Sequence, residues 1–193
     1  MRLLLIGPPG SGKGTQAERI AAHFGITHIS SGELLRQHVA EGTTIGRTVD
    51  DAMAKGDLVP DGIVMDVLRK PVEAATRSGG YVLDGFPRTV AQAEAAYLIA
   101  RGLGASVQVA LYLKVPREEL IRRMLARAGL AGRSDDRQEV MIHRLDVFDE
   151  LTTPLLEYYA GREVLVTVDG ALPVAEVTQS CIDELEKVRP QLT

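Results

Sequence analysis

Arg2-Leu3-Leu4-Leu5-Ile6 runs without a break into Gly7-Pro8-Pro9-Gly10-Ser11-Gly12-Lys13-Gly14-Thr15, and a helical pattern begins at Lys13. A short apolar strand, a glycine-rich turn and a helix, in that order, form the phosphate-binding arrangement G-x-x-x-x-G-K. Each part has a physical reason. Glycines let consecutive backbone amides turn inward around an anion with no Cβ in the way. The helix that follows directs its unbonded N–H groups and partial positive charge at the same point. Lys13 adds a full charge on the outer phosphates. Gly14 separates this lysine from Thr15, whereas the usual pattern puts Ser or Thr directly after it; the Thr15 hydroxyl still serves a phosphate or its magnesium ion.

Outward from the loop, apolar runs alternate with helical periodicity. Strands are predicted over 2–6, 27–29, 81–83, 107–113 and 163–168, and helices over 13–24, 32–40, 45–55, 61–77, 89–101, 117–127, 138–159 and 174–188. Val/Leu/Ile-rich strands without strict alternation belong to parallel sheets covered on both faces. The predicted fold is therefore α/β, a doubly wound, five-stranded parallel sheet. Segment 30–59 holds helices and no second strand, as an insertion hanging off the sheet would. Segment 128–136 (AGLAGRSDD) is glycine-containing and polar, and is expected to form a loop. Pro71 and Pro154 fall inside helical stretches, which each should kink or split.

Composition narrows the class. The chain has 193 residues, 45% hydrophobic and 25% charged, which suits one globular domain and excludes a disordered or fibrous chain. A net charge of −4 argues against nucleic acid or an anionic membrane as partner. Of the 22 basic residues 17 are arginine, so a local cationic cleft is still available. Cys181 is the sole cysteine, which excludes an internal disulfide or a multi-cysteine zinc site. His23, His28, His38 and His143 show no ligand spacing. The apolar runs fall short of the roughly 18 residues that span a bilayer. A cytoplasmic protein in a reducing compartment is expected.

A second constellation lies at Tyr81-Val82-Leu83-Asp84-Gly85-Phe86-Pro87-Arg88-Thr89. Ligands of open α/β sheets bind at strand carboxyl ends, where both Gly7 and Asp84 fall. An acid in that place suits the magnesium side of a phosphate-loop enzyme, and Arg88 can grip a phosphate with two parallel hydrogen bonds. The base-reading tetrapeptide [NT]-K-x-D of guanine-nucleotide switches does not occur.

Taken together, GPPGSGKGTQ at 7–16, ISSGELLR at 29–36, GDLVPD at 56–61 and LDGFPRTVAQA at 83–93 resemble the adenylate kinase family over nearly the whole chain. The resemblance implies a phosphate-loop kinase that transfers the γ-phosphoryl of Mg·ATP to AMP, giving two ADP. It implies that Gly10, Ser11, Gly12, Lys13, Gly14 and Thr15 bind ATP phosphates. Thr15 and Asp84 would serve magnesium, through water. Ser31, Arg36, Gly85, Phe86, Pro87 and Arg88 would hold AMP, with the backbone of Asp57, Leu58 and Val59 lining its adenine pocket and Gln92 reading the base. Ser31 stands where threonine is usual and keeps the hydroxyl. The related pyrimidine kinases tend to carry alanine and asparagine at the positions of Ser31 and Gln92, so this pair favours AMP over UMP or CMP. A kinase for another monophosphate, or a low-turnover nucleotide-binding regulator, is the alternative.

The same resemblance supplies a lid. Arg133 and Arg144 keep the family's eleven-residue spacing of lid-side arginines. Arg127 would contact ATP, Arg123 would lie near the transferring phosphate, and the backbone near Leu172 would touch the ATP adenine. Arg137 and Arg122 compete for the lid positions. The implied organisation is a core over 1–29, 60–126 and 138–193, a monophosphate-binding insertion over 30–59 and a short lid over 127–137, acting as a monomer.

Overall fold

The computed structural model describes the backbone of residues 1–131 and 137–191, and the side chains of 1–126 and 137–190. Its centre is a five-stranded, wholly parallel sheet of β1 (Arg2–Ile6), β2 (Thr27–Ser30), β3 (Tyr81–Asp84), β4 (Val109–Lys114) and β5 (Leu165–Asp169), in the order β2-β3-β1-β4-β5. The predicted α/β class and parallel sheet are borne out.

Alternation along β1 supplies both hydrophobic layers. Leu3 and Leu5 face one side, where they join Val82, Leu111 and Leu113 beneath α1 (Lys13–Phe24) and α9 (Val174–Val188). Leu4 and Ile6 face the other side, with Ile29, Leu83 and Ala110, beneath α2 (Ser31–Ala40), α4 (Asp61–Arg77) and α8 (Pro154–Ala160). Each fully buried leucine contributes roughly 1.5–3 kcal/mol relative to exposure. A smaller cluster of Val115, Leu120, Met124, Met141 and Leu145 joins α6 (Arg117–Ala131) to α7 (Gln138–Val147).

Register sets the height of the site. Asp84 is level with Leu5 on one side and Ser30 on the other, so the loops leaving β1, β2 and β3 emerge at one edge. Segment 30–59 contains α2 and α3 (Thr44–Lys55), each started by a hydroxyl cap: Ser30 Oγ accepts from Glu33 N and Thr43 Oγ1 from Gly46 N. Thr89 caps α5 (Val90–Gly102) in the same way.

Pro154 does split the predicted helix 138–159: α7 stops, Phe148–Thr152 forms a π-turn with Thr153 N bonded to Phe148 O, and Pro154 begins α8, where its missing N–H costs nothing. Pro71 does not split α4, which runs through it. Burial of Val64, Leu68 and Ala75 on both sides of the proline offsets the lost hydrogen bond. The helix predicted to end at residue 127 continues to Ala131, because 126–131 holds good helix formers and one tolerated glycine. The expected loop therefore begins later than 128, and 132–136 lie outside the described residues.

Candidate active site

The phosphate loop is shaped by its own backbone. Gly10 and Gly12 take left-handed φ of 83° and 90°, and Ser11 N bonds Pro8 O at 3.1 Å. Gly12 caps α1 with no side-chain partner for the first-turn amides, and no acidic residue stands in that turn. An anion is the natural partner for such an end. A Cβ built on Gly12 or Gly14 would meet nothing within 4 Å, so the loop's outer side is open to a ligand. Lys13 Nζ donates to the carbonyls of Gly7 (2.6 Å) and Pro8 (3.0 Å), which holds its charge over the loop. The Ser11 hydroxyl is buried with no partner among the described residues.

Next to the loop lies a pocket of mixed polar and apolar lining that includes Ser31, Arg36, Asp57, Leu58, Val59, Gly85, Phe86, Arg88, Gln92 and Arg144. The structure thus brings the acceptor-side residues named from the sequence into one cavity, except Pro87, which borders the neighbouring space instead. Gly85 is essential to that approach. Its φ is +83°, and a Cβ there would lie 2.6 Å from Ser31 Oγ. Its carbonyl accepts from Arg88 Nε at 2.8 Å, which ties the guanidinium to the loop that follows β3. The Arg36 guanidinium folds back over the first turn of its own helix, 3.2 Å from where a Gly32 Cβ would stand. Gln92 is only 3% exposed, and both ends of its amide are engaged: Oε1 accepts from Arg88 N and Nε2 donates to Asp61 Oδ1.

A third space connects the two. It is lined by Gly7, Pro9 and Lys13 from the loop, by Gly85, Pro87 and Arg88 from the acceptor side, and by Arg144 from α7. Three cationic side chains from three elements meet there, where two polyanions would have to approach. Asp84, at the end of β3, is 7% exposed.

On the far side of the loop, Gly10, Ser11, Gly12 and Thr15 border an outer pocket with Arg123 and Leu172. Arg123 is tied down there: Nε bonds Glu119 at 2.7 Å and the terminal nitrogens bond the carbonyls of Gly170 (2.8 Å) and Ala171 (3.1 Å). It lines the outer pocket together with Leu172 and does not line the space shared by Lys13 and Arg88. Hydrogen bonds from Arg122 and then Arg123 hold the Glu119 carboxyl down at about 2. The Arg127 side chain and Arg133 lie outside the described residues.

Several residues escaped the sequence reading. Asp61 closes the GDLVPD stretch and His143 carries no motif, and neither was given a role, yet Asp61 holds Gln92, and His143 Nε2 lies 2.7 Å from Asp57 Oδ1, linking α7 to the end of α3. Leu35, Met53 and Val64 form the apolar wall of the acceptor pocket. Their helical spacing marks them as inward-facing but cannot say which cavity they line. Cys181, as expected, is a buried thiol, pushed up to about 12 by burial. A separate hollow of about 390 Å³ between α4, α5 and α8 is walled mainly by apolar side chains, which suit no polyphosphate. Among the described residues no three His, Cys, Asp or Glu side chains gather as a metal cluster, and no helix is long and apolar enough to cross a membrane.

Known proteins carry the same pattern. Residues 5–164 match the family model described as adenylate kinase. An adenylate kinase of Thermus thermophilus is 47% identical over 168 residues, 87% of this chain and 88% of the relative. Those of Kocuria rhizophila and Thermobifida fusca are 41% and 42% identical over 186 residues, 96% of this chain and 99% and 98% of theirs. On a family model that covers residues 5–164 and relatives 41% to 47% identical over most of their length, the chain belongs to the adenylate kinase family.

Proposed function

We infer that this protein catalyses the reversible transfer of the γ-phosphoryl group of Mg·ATP to AMP, giving two ADP. The observation that carries this is the convergence of Lys13, Arg88 and Arg144 on the space between the phosphate loop and the acceptor pocket. An AMP phosphate oxygen attacks the γ-phosphorus, and the bond from that phosphorus to the β–γ bridging oxygen breaks. The electron pair stays on the β-phosphate of the departing ADP. The attacking oxygen is already anionic, so no general base is needed; positioning and charge stabilisation do the catalysis.

The proposed roles are those the family resemblance implies, and the pockets described above support them for the residues that line them. Gly10, Ser11, Gly12, Lys13, Gly14 and Thr15 bind the ATP phosphates. Arg123 and Leu172 border its outer end. Ser31, Arg36, Asp57, Leu58, Val59, Gly85, Phe86, Pro87, Arg88 and Gln92 form the AMP site, with Arg144 over the transferring group and Arg127 and Arg133 completing the lid. Asp84, a buried carboxylate at the end of β3, and the Thr15 hydroxyl beside the loop would serve magnesium through water, since that ion takes few protein ligands and keeps phosphates and waters as the rest. Bound there, Mg²⁺ would neutralise phosphate charge. Segment 30–59 serves as the monophosphate-binding insertion and 127–137 as the lid. The proposed setting is a cytoplasmic monomer, which a single buried free thiol fits.

ADP formation from Mg·ATP across AMP, UMP, CMP and GMP tests this. AMP should be preferred by a large kcat/KM ratio, since the wrong base leaves buried polar groups unpaired. Equal use of UMP and AMP would overturn the acceptor assignment.

A further inference from the structure

The Gln92 amide is gripped from both ends. Its Oε1 accepts the backbone N–H of Arg88 at 2.7 Å, and its Nε2 donates to Asp61 Oδ1 at 2.7 Å. A backbone N–H can only donate, and an ionised carboxylate can only accept. Rotating the amide by half a turn would set N–H against N–H and oxygen against carboxylate. Both bonds would be lost and two repulsive contacts made. The amide therefore has one orientation. After its two bonds it keeps one N–H and one oxygen lone pair for a ligand in the pocket it lines.

That remaining donor–acceptor pair distinguishes purines. A 6-aminopurine offers an acceptor at N1 and a donor at the 6-amino group. A 6-oxopurine offers the reverse, a donor at N1 and an acceptor at O6. A glutamine free to flip would serve both rings equally. We propose that Asp61, acting through Gln92, is the positioning residue that lets the acceptor site take AMP and refuse 6-oxopurine monophosphates. It touches no substrate. The lock joins the first residue of α4 to the first turn of α5, and it rests on the AMP-acceptor assignment above.

The test compares AMP with IMP, which differ only at those two ring positions, in the parent, Asp61→Asn and Asp61→Glu. An asparagine can accept or donate, so half of the lock is removed with little change of shape. A hydrogen bond to a charged group corresponds to about tenfold or more. The AMP-to-IMP ratio of kcat/KM should accordingly fall about tenfold in Asp61→Asn and stay near the parent's in Asp61→Glu, which remains acceptor-only. Thermal melts confirm that each variant is folded. A folded Asp61→Asn that loses the same factor with both substrates would overturn the lock while leaving the AMP assignment standing. Should Asp61→Asn not fold, loss of discrimination in a folded Asp61→Glu with normal AMP turnover would overturn it equally. A parent that used AMP and IMP alike would overturn the acceptor assignment and the lock together.

Discussion

Lys13 sits over the loop with its ammonium on the Gly7 and Pro8 carbonyls, so its charge is in place before a nucleotide arrives. A loop lysine adds little to either hydrophobic layer, and Lys13→Ala should fold. Losing a preorganised charge on the transferring phosphate should cost about 3–4 kcal/mol of transition-state stabilisation, a hundredfold to thousandfold in turnover. A coupled ADP assay measures it, and turnover within about threefold of the parent would remove Lys13 from the mechanism. Glu119 gives a pH prediction on the same scale. Its carboxyl lies at about 2 against an ordinary 4.5, with Arg122 and Arg123 as the cause. A depressed acid contributes stability above its unfolded value and loses it as pH falls through the folded one. Melting temperature should therefore drop more for the parent than for Glu119→Gln between about pH 5 and about pH 2.5. Equal drops would show that the pair does not bear on stability.

At the scale of elements, α7 matters because it delivers a cation across the cleft. Val140 and Arg144, one turn apart, rest against Gly56 at the end of α3; a Cβ there would lie 2.7 Å from Arg144 Cγ. Arg137, at the exposed start of the same helix, borders none of the three site pockets. Arg144→Ala should reduce turnover at least tenfold more than Arg137→Ala, as a charge on the transferring group outweighs a solvated one. Steady-state kinetics decide this, and a larger loss in Arg137→Ala would reassign the lid-side register.

Across the whole molecule, the acceptor pocket has walls on α2, the end of α3, α4, α5 and α7, so a ligand joining both nucleotides would tie separate elements together. Shielding transfer from water requires such closure. Hydrogen exchange with and without a bisubstrate ligand should show added protection in 30–59 and in α7, and little change in α9, whose buried face packs beneath the sheet. No added protection in 30–59 would rule out closure by that insertion.

The phosphate loop, the α/β alternation and LDGFPRT were legible in the sequence because each is local: strand, turn and helix termini follow from neighbours a few residues apart. The two prolines show where such reading ends. Both fall inside a stretch of helical periodicity, but Pro154 divides its helix and begins a new one whereas α4 runs through Pro71, a difference the local pattern does not contain. The site divides in the same way. Gln92 could be named from its motif, but its orientation comes from Asp61, 31 residues away, and the Asp57–His143 contact spans 86. Arg123, one of a row of arginines on α6, is directed to the Gly170 and Ala171 carbonyls by the way α6 lies against the end of β5. Residue type and spacing determined which groups are present. Packing of the helices on the sheet decided which way their polar atoms point, since a hydrogen bond between distant segments forms only once burial has brought them together.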